Sequence, residues 1–165
     1  LIDTQYLFAQ TLWYAKGLAE QTAGNLEVIA PAETVVPDDL WQRDTDACCA
    51  IRKVAPLEHA LANKSAWITG LRRDDSASRA STPVVSHDML RDVIKVNPLA
   101  NFTQSDYDKY LEVHGLNEHP LTTQGYTSIG CWPCTQPATA DGDARSGRWA
   151  GTEKTECGLH TRATV

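Results

Sequence analysis

The stretch Ala66-Trp67-Ile68-Thr69-Gly70-Leu71-Arg72-Arg73-Asp74 decides the fold class. Its first four residues are apolar or β-branched and read as a short strand. Gly70 ends that strand and opens a basic, serine-rich loop that runs on to Arg79. A second strand, Val93 to Val96, comes before Asn97-Pro98. Between and around these runs lie helical patterns, and strands separated by helices favour an α/β sheet with crossover connections. In such sheets ligands gather at the carboxyl ends of the strands.

Working outward, Leu1 to Thr4 reads as the end of a strand and Leu7 to Thr22 as a helix with Gly24 as its C-cap. Leu26 to Ala30 reads as another strand. Asp46 is positioned to cap a short helix holding Cys48, Cys49, Arg52 and Lys53, and Pro56 resets that helix at a new first turn. Thr103-Gln104-Ser105-Asp106 has the form of a capping box before a helix ending near Gly115. Beyond Gly130 the periodicity dissolves. The organisation expected is therefore an α/β domain over residues 1–134 and a loop-rich tail over 135–165.

Composition narrows the function classes. The 165 residues suit one domain, and 42% hydrophobic with 22% charged residues is ordinary for a globular chain. No apolar run approaches the ~18 residues of a membrane span. A net charge of −6 argues against nucleic-acid binding, which needs a net basic face, but leaves room for a small anion. Leu1-Ile2-Asp3-Thr4 has neither a basic n-region nor an initiator Met, so it reads as neither a signal peptide nor a natural start. Five cysteines without an export signal point to a reducing, cytoplasmic setting in which thiols serve metal binding or catalysis.

Four of those cysteines form two pairs, Cys48-Cys49 and Cys131-Trp132-Pro133-Cys134. Four thiolates suit zinc or an iron–sulfur cluster, and an adjacent pair tilts toward the larger group. The alternatives are that Cys48 and Cys49 are buried small hydrophobes, or that Cys131 and Cys134 are a redox dithiol. Cys157 lies in Lys154-Thr155-Glu156-Cys157-Gly158-Leu159-His160, a polar stretch that no core packing requires. It reads as a nucleophile, against the alternative of an idle tail cysteine; Lys154 and His160 would lower its pKa and Glu156 would raise it. Basic residues cluster at Arg52-Lys53, at Arg72-Arg73 with Arg79, and at Arg145 with Arg148. These are either solvated faces or a site for a phosphate-bearing ligand.

Taken in order, Cys48-Cys49-Ala50-Ile51-Arg52-Lys53-Val54, Ile68-Thr69-Gly70-Leu71-Arg72-Arg73-Asp74, Lys95-Val96-Asn97-Pro98-Leu99, Gly125-Tyr126-Thr127-Ser128-Ile129-Gly130-Cys131, Arg145-Ser146-Gly147-Arg148-Trp149 and the Cys157 segment resemble the bacterial adenosine 5′-phosphosulfate reductases. More exactly, they resemble the iron–sulfur-containing members. The resemblance implies a Rossmann-like PP-loop sheet flanked by helices, with a phosphate loop and first strands that would precede Ile2 and are not in this sequence. It implies a [4Fe–4S] cluster on Cys48, Cys49, Cys131 and Cys134. It further implies thioredoxin as reductant, Cys157 as nucleophile, and phosphosulfate contacts from Lys53, Arg145, Arg148 and His160, with Gly70, Arg72 and Arg79 on the substrate side. The partners expected are the sulfonucleotide and thioredoxin, with no nucleic acid or membrane, in a chain compatible with a homo-oligomer. The alternatives are a 3′-phosphorylated substrate, or a non-enzymatic zinc module.

Overall fold

A computed structural model describes residues 1–140 and 142–160. Three strands form its sheet, β1 (Ala66–Ile68), β2 (Val85–Asp88) and β3 (Val93–Val96), in the order β1-β3-β2. β1 runs parallel to β3 with Trp67 opposite Lys95, and β2 is antiparallel to β3 with Ser86 opposite the same Lys95. Five helices flank it: α1 (Ala9–Gln21), α2 (Leu40–Arg43), α3 (Thr45–Cys49), α4 (Ala55–Leu61) and α5 (Gln104–His114). Among the described residues no helix is long and apolar enough to cross a membrane.

The mixed sheet departs from the expected helical crossovers. From β1 the chain reaches β3 through two short 3-10 turns, Arg73–Asp75 and Ala77–Arg79, and then β2. Nor do the expected strands at residues 1–4 and 26–30 extend. They meet in one parallel bridge, Ile2 to Ile29; Leu26 and Val28 are exposed, and among the described residues no further strand pairs with them. Of the tail expected over 135–165, Asp141 and residues 161–165 lie outside the described residues. The remainder is turns and one isolated bridge, Thr135 to Arg148, folded so that Trp149 N–H reaches the Cys134 carbonyl at 3.0 Å.

α5 forms as its sequence predicts. The Thr103 hydroxyl accepts from Asp106 N–H, Asp106 accepts in turn from Thr103 N–H at 2.9 Å, and Gly115 closes the helix at φ 60°. At α3 the cap is Asp44, whose carboxylate accepts from Ala47 N–H, and not Asp46. That helix runs into α4 through a π-type turn, Ala50–Val54, in which Ala55 N–H bonds the Ala50 carbonyl. The wider turn accommodates Pro56, which has no N–H to continue an ordinary helical ladder. It also turns Arg52 and Lys53 inward, and both are buried. Arg52 is a tie between segments: it donates to Gln5 Oε1 and Asp38 Oδ1, and lies 4.7 Å from the Tyr6 ring centroid.

The loop after β3 is pinned by Asn97, which is 1% exposed. Its side-chain NH₂ donates to the Pro83 carbonyl at 2.8 Å, its Oδ1 accepts from the Thr69 hydroxyl, and its own N–H bonds the Val84 carbonyl at 2.7 Å. Asn97→Ala strands the Thr69 hydroxyl and the Pro83 carbonyl without partners. The expected loss is about 2–3 kcal/mol of unfolding free energy in a urea titration, and an unchanged midpoint would refute it.

Candidate active site

A cavity of about 230 Å³ opens where the segments around Arg145 and Cys157 fold back on the body. Lys53, Arg79, Arg145, Arg148, Cys157 and His160 line it, together with Thr4, Gly130 and Cys131. Each arrives for a local reason. The π-type turn delivers Lys53, the loop after β1 delivers Arg79, and the turns from Arg145 to Trp149 deliver two guanidiniums. Gly70 and Arg72 line a separate cavity of about 470 Å³ beside α5. There Arg72 is engaged with Asp75 at 2.9 Å and Gln104 at 2.9 Å, and its guanidinium lies over Tyr107.

The cations around Cys157 differ in how far they are already neutralised. Arg79 grips Glu156 through two hydrogen bonds, at 2.6 and 2.9 Å, and also bonds Asp75 at 3.0 Å. Arg145 reaches the same Glu156 at 3.3 Å and the Thr155 carbonyl at 3.1 Å. Burial would raise the Glu156 pKa, but the Arg79 hydrogen bond and the Arg145 and Arg79 charges outweigh it and hold the carboxyl below its ordinary value. The Arg148 side chain makes no hydrogen bond or ion pair among the described residues, although the Glu156 charge acts on it, and its Nε is buried and unpaired. Its guanidinium lies 4.5 Å from the Trp149 ring and rests against Gly130, where a Cβ would overlap it. Burial pulls the Arg148 pKa down. Burial pulls Lys53 down as well, but the sulfurs of Cys131, Cys157 and Cys49 outweigh that and raise it.

The expected [4Fe–4S] cluster does not fit this arrangement. Cys48 and Cys131 sit in a packed cluster with Tyr6, against which Cys134, Leu40 and Trp41 are laid, and Thr4 Oγ1 lies 3.1 Å from Cys131 Sγ. All five cysteines are free. Burial pushes the Cys48, Cys49 and Cys134 thiols up, Cys49 to about 11, so they are held as neutral thiols. Among the described residues no group of three or more His, Cys, Asp or Glu side chains could hold a metal ion. Cys48, Cys49, Cys131 and Cys134 are therefore corrected from cluster ligands: Cys48 and Cys49 take the alternative of buried small hydrophobes, and Cys131 and Cys134 pack beside Cys48.

His160 carries the largest pKa displacement at the site. Burial, then the Lys95 and Arg79 charges, push its imidazole down to about 3 against some relief from Glu156. Between pH 6.5 and about 3 the unfolded chain binds a proton that the folded chain refuses, so stability falls as the pH drops through that window. Glu156 acts in the same direction, since its depressed pKa gives stability above the ordinary carboxyl value that is lost on acidification. The expected result is a thermal midpoint that declines steadily below pH 6.5. The contribution of His160 has a slope of at most about 1.4 kcal/mol per pH unit, and His160→Gln should flatten that part. A midpoint indifferent to pH over this range would contradict the burial of a neutral imidazole.

Comparison with known proteins bears on this site. Residues 1–137 match the model of the phosphoadenosine phosphosulfate reductase domain. The chain is 46% identical over 165 residues to an adenosine 5′-phosphosulfate reductase of Streptomyces coelicolor, covering 96% of this chain and 70% of that protein. The chain belongs to the adenosine 5′-phosphosulfate reductase family. It is accordingly an enzyme, an oxidoreductase acting on a sulfur group. The reductase of Mycobacteroides abscessus of the same name is 44% identical over 165 residues, with the same 96% and 70% coverage. In structure the chain resembles a phosphoadenylyl-sulfate reductase of Candida auris, solved with phosphate. The TM-score is 0.70 at 27% identity, covering 82% of this chain and 69% of that one.

The geometry also shows residues that the sequence reading passed over as partners. Glu156 was weighed only for its charge on Cys157, yet it bridges Arg79 and Arg145. Lys95 and Trp67 meet His160 from the sheet. Their signal was present in the strand alternation, which puts positions 67 and 95 on one face.

Proposed function

We propose that this protein reduces adenosine 5′-phosphosulfate to sulfite and AMP, with Cys157 as the nucleophile and a thioredoxin-type dithiol as the electron source. The observation that carries the reading is the convergence of Cys157 with Lys53, Arg79, Arg145, Arg148 and His160 on one cavity. The Cys157 thiolate attacks the sulfur of the phosphosulfate, an S–S bond forms, the bridging S–O bond breaks, and AMP leaves with the electron pair. A dithiol thiolate then attacks Cys157 Sγ and expels sulfite; the second thiol closes a disulfide, so two electrons pass from the dithiol to the sulfur. Negative charge builds on the departing phosphate, where the unpaired Arg148 and Lys53 offer the strongest compensation. The catalytic cysteine thus belongs to a tail segment, residues 135–165, that closes on a nucleotide-binding body, residues 1–134.

Substrate choice turns on the ribose end, because both sulfonucleotides share the phosphosulfate. Arg72 is held by Asp75 and Gln104, and Arg73 by the Thr82 carbonyl at 2.8 Å and Asn101 at 2.6 Å. Arg73 is fully engaged, whereas Arg72 keeps one buried nitrogen, Nη1, without a partner; the preference requires that this nitrogen stays out of reach of the ribose, since an unpaired buried phosphate is heavily penalised. Sulfite release with thioredoxin, measured with both nucleotides in competition at matched salt, should favour adenosine 5′-phosphosulfate by about tenfold or more, which corresponds to about 1.4 kcal/mol. A higher kcat/KM for the 3′-phosphorylated nucleotide would overturn the substrate assignment, and no sulfite from either would overturn the function.

A further inference from the structure

We propose that Lys95 and Trp67 are positioning residues that fix His160 as its Nε2–H tautomer at the wall of the Cys157 cavity. Trp67 and Lys95 are register partners across the parallel β1–β3 pair, so both side chains rise from one face of the sheet. The opposite face, with Ile68, Val85 and Ile94, is exposed. On the first face the His160 ring lies nearly parallel to the Trp67 indole, with centroids 5.6 Å apart and planes at 13°. The Lys95 ammonium sits 5.1 Å from the same indole centroid and 3.3 Å from His160 Nδ1.

An ammonium has three donors and no acceptor, so in this contact Nδ1 must offer its lone pair and the single proton of the neutral ring must sit on Nε2. Neutrality follows from the surroundings: the ring is buried among Lys95, Arg79 and Arg145, with Glu156 the acidic group among them. Lys95 itself faces Asp88 and Glu156 on one side of the balance and Arg91 and Arg79 on the other. Stack and hydrogen bond act on different degrees of freedom. Trp67 sets the plane of the imidazole, and Lys95 sets its rotation within that plane and its tautomer. The consequence is a hydrogen-bond donor of defined position in a segment otherwise made of turns, three residues beyond Cys157. Clipping His160 to the sheet also fixes how far the Cys157 loop reaches over the cavity.

The inference rests on the reading of that cavity as the phosphosulfate site, and the test separates the two. In ¹⁵N-histidine-labelled protein near neutral pH, the His160 signals are found by their loss in His160→Gln. Long-range ¹H–¹⁵N correlation should then show an unprotonated Nδ1 and a protonated Nε2. Lys95→Met should shift the proton toward Nδ1 and lower kcat/KM for adenosine 5′-phosphosulfate about tenfold, with the thermal midpoint little changed. Lys95→Arg, which keeps a donor, should restore the wild-type ring signals and most of the rate. A proton on Nδ1 in the unmodified protein would overturn the proposal whatever the variants do. So would a Lys95→Met protein with unaltered ring signals and rate. Full activity in His160→Gln would instead strike the role of His160 at the phosphosulfate, and with it the functional half of the proposal, while leaving the tautomer as measured.

Discussion

Cys157→Ser is expected to abolish sulfite release, by three orders of magnitude or more on the scale of about 10³–10⁶ seen when a covalent nucleophile is removed, with little loss of structure. Cys157 is only partly buried and belongs to no packed cluster, so the oxygen substitution removes reactivity without opening a cavity. A serine hydroxyl is far less ionised than a thiol and is the weaker nucleophile. The measurement is mass spectrometry after mixing with adenosine 5′-phosphosulfate in the absence of dithiol. The wild-type chain should gain one sulfo group on Cys157, and the serine variant none. A sulfo group on another cysteine, or on the variant, would defeat the assignment.

Arg148→Met is expected to lower kcat/KM by about 10²–10³, the loss typical of one preorganised charge donor at a developing anion, while the protein becomes no less stable. Those two effects usually travel together, and their separation is the test. Arg148 is half-buried, its Nε is buried and unpaired, and the Glu156 charge acts on it without forming an ion pair, so in the free protein it is a partly desolvated charge with an electrostatic cost. Methionine keeps the apolar stem against Trp149 and removes that cost. Gly130→Ala should mimic the kinetic effect more mildly, by about tenfold, because the new methyl meets the flexible end of Arg148 and pushes it out of place. An Arg148→Met protein that loses stability and activity together would mark the residue as structural.

Local signals in the sequence were strong where one element could satisfy itself. The Thr103 capping box and Gly115 define both ends of α5 without outside help, and β1 and β3 are short runs rich in β-branched and aromatic residues, interrupted only by Lys95. Signals failed where the answer depended on partners distant in sequence. β2, between Pro83 and the turn at Arg91-Asp92, is a strand only because β3 supplies its hydrogen bonds. Asp44 and Asp46 are both acceptable caps, and the chosen one depends on how α2 hands over to α3. The two cysteine pairs illustrate the same limit, since spacing shows that thiols are available but not whether their neighbours are apolar. Tyr6, Leu40 and Trp41 are the apolar neighbours of Cys48, Cys131 and Cys134. Around Cys157 the residue types were legible, whereas the pairing of Arg79 with Glu156 spans 77 positions and left no local trace.

That pairing changes what it means for a ligand to arrive. A site described by its cations suggests an anion condensing onto bare positive charge, with the steep salt dependence that accompanies such binding. With Glu156 already seated between Arg79 and Arg145, arrival is instead an exchange of one anion for another on the same guanidiniums. The vacated carboxylate is covalently joined to the residue beside it, Cys157, so whatever displaces Glu156 also tugs on the nucleophile. Affinity then reports the difference between two anions, and ionic strength, which weakens both contacts alike, should alter it less than the count of positive side chains suggests.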